Sequence, residues 1–326
     1  MSSLSVSSSG RKVRFDAGDF FRRYGTAIIF LVLVIFASSL SSSFFSERNI
    51  MNVLRQVSGT GIMAVGMLLV ILTRGIDLSV GSIAALGSVL SAIILNQYSP
   101  GASVLMVLIA GMLCGLMSGF LVAYLRLQPF VMTLAMMAVA RGLALIISNG
   151  QPIMMGEKGD VITDFGTSSV LGVPLPVVLM LAIFAAAAVL LNLTRFGRLV
   201  KAIGSNEEAV HLSGIPVARY VLAVYAISGA LAALAGIIIT SRSGVGSATV
   251  GVGAELDVIA AVVIGGASLA GGRGGVFNTL LGVLVFGVIG NIMNLINVPG
   301  YHQQVCMGVI IVVAMLLQKG TGWLKR

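Results

Sequence analysis

The chain has 326 residues, of which 57% are hydrophobic and 10% charged, with a mean hydropathy of +1.06. Soluble domains carry about 25% charged residues, so this set cannot cover a water-facing surface, and its 41 glycines suit membrane helices. The net charge of +9 comes from 20 Lys and Arg scattered in short clusters between apolar runs, which excludes the basic stripe that nucleic-acid binding requires.

The chain opens on a polar segment, 1–23, whose Ser-rich head (1–19) is expected to be disordered. The remainder, 24–326, reads as one transmembrane domain. About 20 mostly apolar residues are needed to cross the hydrocarbon as a helix. Ten runs qualify: 24–41, 58–73, 78–96, 101–125, 129–147, 170–193, 220–241, 256–271, 276–296 and 303–318. The first follows a basic stretch as a signal peptide would, but nine further spans make it an uncleaved anchor. The fold class expected is therefore all-α, a polytopic integral membrane protein of about ten helices.

Inner connections collect Lys and Arg. With the N-terminus inside, 15 of the 20 basic residues fall on the inner side. Only Arg48, Arg55, Lys158 and Arg242 fall outside, and Arg141 stays within a span. Ten spans with both termini in the cytoplasm satisfy this count. Two stretches suggest related halves: Gly75-Ile76-Asp77-Leu78 and Gly253-Ala254-Glu255-Leu256-Asp257 each open a span rich in small residues. Five spans per half would invert one copy against the other, placing a path at their interface.

Segment 194–219 is the longest inner connection and the most informative. Asn206 can cap a short helix with Glu207 and Glu208 in its first turn, and Gly214 with Pro216 stops it. A plain connection needs only a few residues, so this charged helix reads as a docking element.

Candidate path residues come next. Asp77, at the start of a membrane helix, suits unpaired N–H groups and the positive dipole end, with Arg74 placed to neutralise it if that turn is helical. Two readings stand: a gate on the path, or a cap fixing a broken helix. Arg141 costs about 2.5–3.5 kcal/mol at a span centre, so it must pair, line the path or reach the interface. Asn291 and Asn294, three apart, share a helix face, and Gln128, Phe130 and Thr133 could add to them from the other half. Amides suit sugar hydroxyls; they equally suit bonds between helices. Gly111, Gly115 and Gly119 repeat at spacing four and let another helix approach. The sequence Gly271-Gly272-Arg273-Gly274-Gly275 lacks the Lys-Ser/Thr of a phosphate-binding loop, and no such loop occurs in the chain. His211 and His302 lie in separate connections, and Cys114 and Cys306 in apolar runs, so neither pair points to a metal, a disulfide or a catalytic group. No cofactor is called for.

These stretches carry a resemblance. Glu208-Ala209-Val210-His211-Leu212-Ser213-Gly214 is similar to the Glu-Ala-Ala-x-x-x-Gly pattern of importer permeases, with Val210 for the second Ala. Thr73-Arg74-Gly75-Ile76-Asp77-Leu78-Ser79-Val80-Gly81-Ser82 and the run 255–274 resemble signatures of ribose-type permeases. The likeness spans nearly all of the chain beyond residue 25. It implies the membrane permease subunit of a bacterial ATP-driven (ABC) importer in the inner membrane. On that reading, Gly204, Asn206, Glu207, Glu208, Ala209, His211 and Gly214 form the coupling element that seats in a separate cytoplasmic ATPase. A periplasmic substrate-binding protein delivers a small sugar, and a second permease subunit, an identical copy, completes the path among membrane lipids. Another small solute is the alternative cargo: an autoinducer-type sugar, a nucleoside or a branched-chain amino acid. An ion-coupled secondary transporter is the rival mechanism and a membrane scaffold the second rival. The first should carry paired carboxylates deep in the membrane, whereas Asp77 and Asp257 are expected at span edges.

Overall fold

A computed structural model describes residues 17–323 of the chain; 1–16 and 324–326 lie outside the described residues, and with them most of the polar head. The long helices are α1 (Ala17–Leu40), α2 (Glu47–Leu72), α3 (Val80–Leu95), α4 (Pro100–Ala123) and α5 (Pro129–Ser148). A short α6 (Asp160–Thr167) leads to α7 (Leu175–Leu193), α8 (Arg195–Ser205), α9 (Glu207–Leu212) and α10 (Val217–Ser243). Then come α11 (Ala254–Ile264), α12 (Val276–Leu295) and α13 (Gly300–Trp323). By length and composition, α2, α4, α5, α7, α10 and α12 can each cross a membrane, and shorter apolar stretches lie in α1, α3 and α13. Four two-residue strands occur in connections: β1 (Ile153–Met154) pairs with β4 (Val245–Gly246), and β2 (Ser169–Val170) with β3 (Val173–Pro174).

Local chemistry sets many of the ends. Ser46 caps α2 by accepting from the Asn49 N–H at 3.3 Å, and Pro100 and Pro129 open α4 and α5 at positions where no N–H partner is needed. The cap starts α2 well before the expected 58. Arg48 and Arg55, expected in a connection, therefore ride on this helix. Residues 170–174 form part of a hairpin, so α7 begins at Leu175. The expected span 256–271 is cut at Ile264, where the chain turns through Gly265 and Gly266.

At the centre stand α2 and α10. About 78% of the apolar window of α2 is buried against 22% for α5, so α2 belongs to the interior and α5 to the periphery. In lipid, helices associate through close packing and polar contacts, with no hydrophobic drive between them. The sequence of α10 is accordingly small: Ala226, Ser228, Gly229, Ala232, Ala233, Ala235 and Gly236 are buried along it. The spaced glycines of α4 meet this helix within the same chain: a side chain at Gly111 would strike Gly229 and Ala233, and one at Gly115 would strike the Tyr225 backbone. Helices α3 and α4 pack on α10, whereas α11 and α12 pack on α2.

Candidate functional site

Two features separate this fold from a plain bundle: two stretches of non-helical backbone braced by side chains of other helices, and a helical pair projecting from one face. The first stretch, 73–79, joins α2 to α3; the second, 244–253, joins α10 to α11. Non-helical backbone at membrane depth must have its polar groups met by protein.

Asp77 meets the first. It is fully buried, and one carboxylate oxygen accepts from the Ser79 N–H at 3.0 Å and from the Ser79 hydroxyl. The other accepts from the Ser228 hydroxyl of α10 at 2.8 Å. The anion thus sits just before the first turn of α3, where the helix dipole favours it. Thr133 of α5, also buried, donates its hydroxyl to the Ile76 carbonyl at 3.1 Å and to its own Pro129 carbonyl at 2.9 Å.

Arg141 meets the second. Two turns along α5 from Thr133, its guanidinium donates to the Ala248 carbonyl and, at 2.7 Å, to the Val250 carbonyl. A helix rises about 1.5 Å per residue, which sets Thr133 and Arg141 about 12 Å apart along one face of α5. The two helix starts themselves touch, since a side chain at Gly81 would collide with the Gly251 carbonyl and the Glu255 carboxylate. One oxygen of that carboxylate is buried and has no hydrogen-bond partner among the described residues, while its charge acts on Arg141. Asp77, Thr133 and Arg141 therefore form one assembly bracing both breaks, joined by Ser228 and Glu255, which sequence reasoning did not single out. The available signals were a hydroxyl inside an apolar span and an acidic residue at the second of the paired helix openings.

The other expected path residues lie elsewhere. Asn291 is buried and exchanges amide hydrogen bonds of 3.0 and 2.8 Å with Asn49, tying α12 to α2. Asn294 is exposed and accepts from Gln303 at 2.8 Å. Gln128 and Phe130 are exposed at the start of α5. Arg74 does not neutralise Asp77. Its own backbone is left-handed (φ 65°), so the turn is not helical and the side chain points to the projecting pair, bonding the Gly204, Ser205 and Ala270 carbonyls.

The projecting pair occupies the connection expected to hold one short helix. Thr194 caps α8 and Asn206 caps α9, the latter accepting from the Ala209 N–H at 3.0 Å with Glu207 and Glu208 in the first turn. Val210 is its buried foot, packed with Ile203 and Val217. Around that foot, Asn206, Glu207, Glu208, Ala209, His211 and Gly214 are exposed, and Leu212 is 80% exposed. Gly214 stops the helix at φ 76°, a conformation open to Gly and strained for other residues. Gly204 differs from these. It is buried against the Leu72 carbonyl and the Gly272 backbone nitrogen, with no space for a side chain.

The curated relatives match almost end to end. The ribose import permease protein RbsC of Haemophilus influenzae is 42% identical over 314 residues, covering 95% of this chain and 97% of its own. RbsC of Escherichia coli K12 is 45% identical, covering 89% and 91%, and the L-arabinose transport system permease protein AraH of that strain is 37% identical over 100% and 99%. No solved structure gives a significant match. The family described as branched-chain amino acid transport system / permease component matches residues 49–315. With its apolar helices, its braced breaks and this match over most of its length, the chain belongs to that family of membrane permeases.

Proposed function

We propose that this protein is the multi-pass, inner-membrane permease subunit of an ATP-driven importer for a small sugar, ribose or a similar pentose. The relatives named for ribose and arabinose support that cargo over a hexose, a nucleoside or an amino acid. The observation that carries the mechanism is the projecting α9: capped, charged, and exposed on every side except its Val210 foot. A separate ATPase seats this helix on the cytoplasmic side, and its movement enters α10 at Val217. The permease supplies the path and performs no hydrolysis itself.

In this reading ten helices span the membrane with both termini in the cytoplasm. The exchanged packing, α3 and α4 on α10 but α11 and α12 on α2, supports two inverted halves. Asp77, Thr133 and Arg141 hold the two breaks where the halves meet, and the path passes there with Gln128, Phe130, Asn291 and Asn294 farther along it. A periplasmic binding protein delivers the sugar to the opposite face, and a second identical subunit completes the passage. Two bistable halves turn a small movement of α9 into opening and closing.

Uptake by the reconstituted importer tests this. Gly214→Ala forces a strained φ on the new residue without a clash, and Glu208→Ala removes a first-turn charge. Both should insert normally yet lower ribose uptake per ATP hydrolysed; unchanged ratios in both would remove α9 as the coupling element. Uptake that follows an ion gradient without any ATPase would favour the secondary-transporter alternative.

A further inference from the structure

Movement entering at the start of α10 would reach the first break through Ser228 and the second only at the far end of that helix. A second connection exists. We propose that Arg74 is a positioning residue that transmits displacement of α8–α9 to the first break and to the connection after α11 at once, an inference that rests on α9 being the docking element.

Three backbones converge at this residue. The Arg74 Nε donates to the Gly204 carbonyl at 2.7 Å and the Ala270 carbonyl at 3.0 Å, and Nη2 donates to the Ser205 carbonyl at 2.8 Å. Gly204 and Ser205 are the last residues of α8, immediately before the Asn206 cap of α9. Ala270 lies in the connection that follows α11. Arg74 itself opens the first break, three residues before Asp77, whose carboxylate is bonded to Ser228 of α10. One planar guanidinium therefore joins the base of the docking helix to the first break and to the segment trailing the second.

The contact around it is stiff. The Gly272 N–H donates to the Leu72 carbonyl at 3.0 Å, and Gly204 sits on both of those groups with no side chain between. Backbone against backbone leaves no rotamer to absorb a shift, so the elements move together. Arg74 adopts its left-handed φ of 65° although Gly75 stands next to it and could take such a conformation freely. Strain kept at a residue with an easier neighbour points to a role for that side chain. The Arg74 side chain is exposed, on the face that carries α9. Lys offers a point charge in place of the rigid fork and cannot reproduce this geometry in full.

The test uses the full importer, permease with ATPase and binding protein, in proteoliposomes. Arg74→Gln should still co-purify with the ATPase but lower solute uptake per ATP hydrolysed about tenfold, an ordinary size for coupling between sites. Arg74→Lys should recover part of that ratio, a rescue that a merely structural role would not order in this way. An unchanged ratio in Arg74→Gln overturns the proposal. If that variant does not assemble, hydrogen exchange on the wild-type complex decides. Amides of 73–79 and 268–272 should change protection together on nucleotide binding, and no change in either stretch overturns it. Failure of the underlying reading looks different: wild-type permease then does not co-purify with the ATPase, or Glu208→Ala leaves the ratio untouched.

Discussion

The two breaks solve one problem with opposite charges. At 73–79 the orphaned groups include N–H donors before α3, and a carboxylate, Asp77, accepts from them. At 244–253 the orphaned groups include carbonyls, and a guanidinium, Arg141, donates to them. An intramembrane charge is usually taken as a mark of substrate or ion chemistry. Here each charge also has a structural duty, of the sign its stretch of backbone demands. The difference lies in the replacements each break could find. The Ser228 hydroxyl can turn to a carbonyl of its own helix, whereas the Ala248 and Val250 carbonyls have no other donor among the described residues.

That contrast can be broken by substitution. Arg141→Leu should have the largest effect, leaving two carbonyls unpaired away from water at about 1–3 kcal/mol each. It should show as a marked drop in thermal midpoint of the detergent-solubilised protein, and a small drop would mean that water or lipid reaches those groups. Asp77→Ala should be milder, about 2 kcal/mol net, because the Ser228 hydroxyl redirects to its own helix. A loss in Asp77→Ala exceeding that of Arg141→Leu would reverse the ranking of the two breaks. Thr133→Val sharpens the comparison at its small end. A single hydrogen bond between membrane helices is worth about 0.6 kcal/mol, so stability should hardly move while an isotope-labelled Ile76 carbonyl gains the infrared signature of a free group.

Much of the architecture is legible without coordinates because its causes are local. Among the described residues, each expected apolar run overlaps a helix, and six of those helices are long and apolar enough to cross a membrane. The Asn206 cap and the Gly214 stop were expected from residue type and spacing and stand where expected. The repeated glycines of α4 announced a close helix, though not which one. Ends were less legible. The span expected to reach 271 stops at Ile264, because a run of small apolar residues does not reveal where its backbone turns.

Partners of the charged residues were beyond the sequence. Arg74 looked like the neighbour of Asp77, yet it reaches carbonyls more than 120 residues away, 130 for Gly204, 131 for Ser205 and 196 for Ala270. Asn291 read equally as a sugar contact or a bond between helices, and its partner is Asn49, 242 positions distant. Sequence alone determined which segments would be helices and where the short capped helix at 207–212 begins and ends. Only the tertiary structure decided which carbonyls and N–H groups the charged residues satisfy. Such groups become orphaned where a helix breaks, and the donor or acceptor that meets them is chosen by whichever distant segment packing brings alongside.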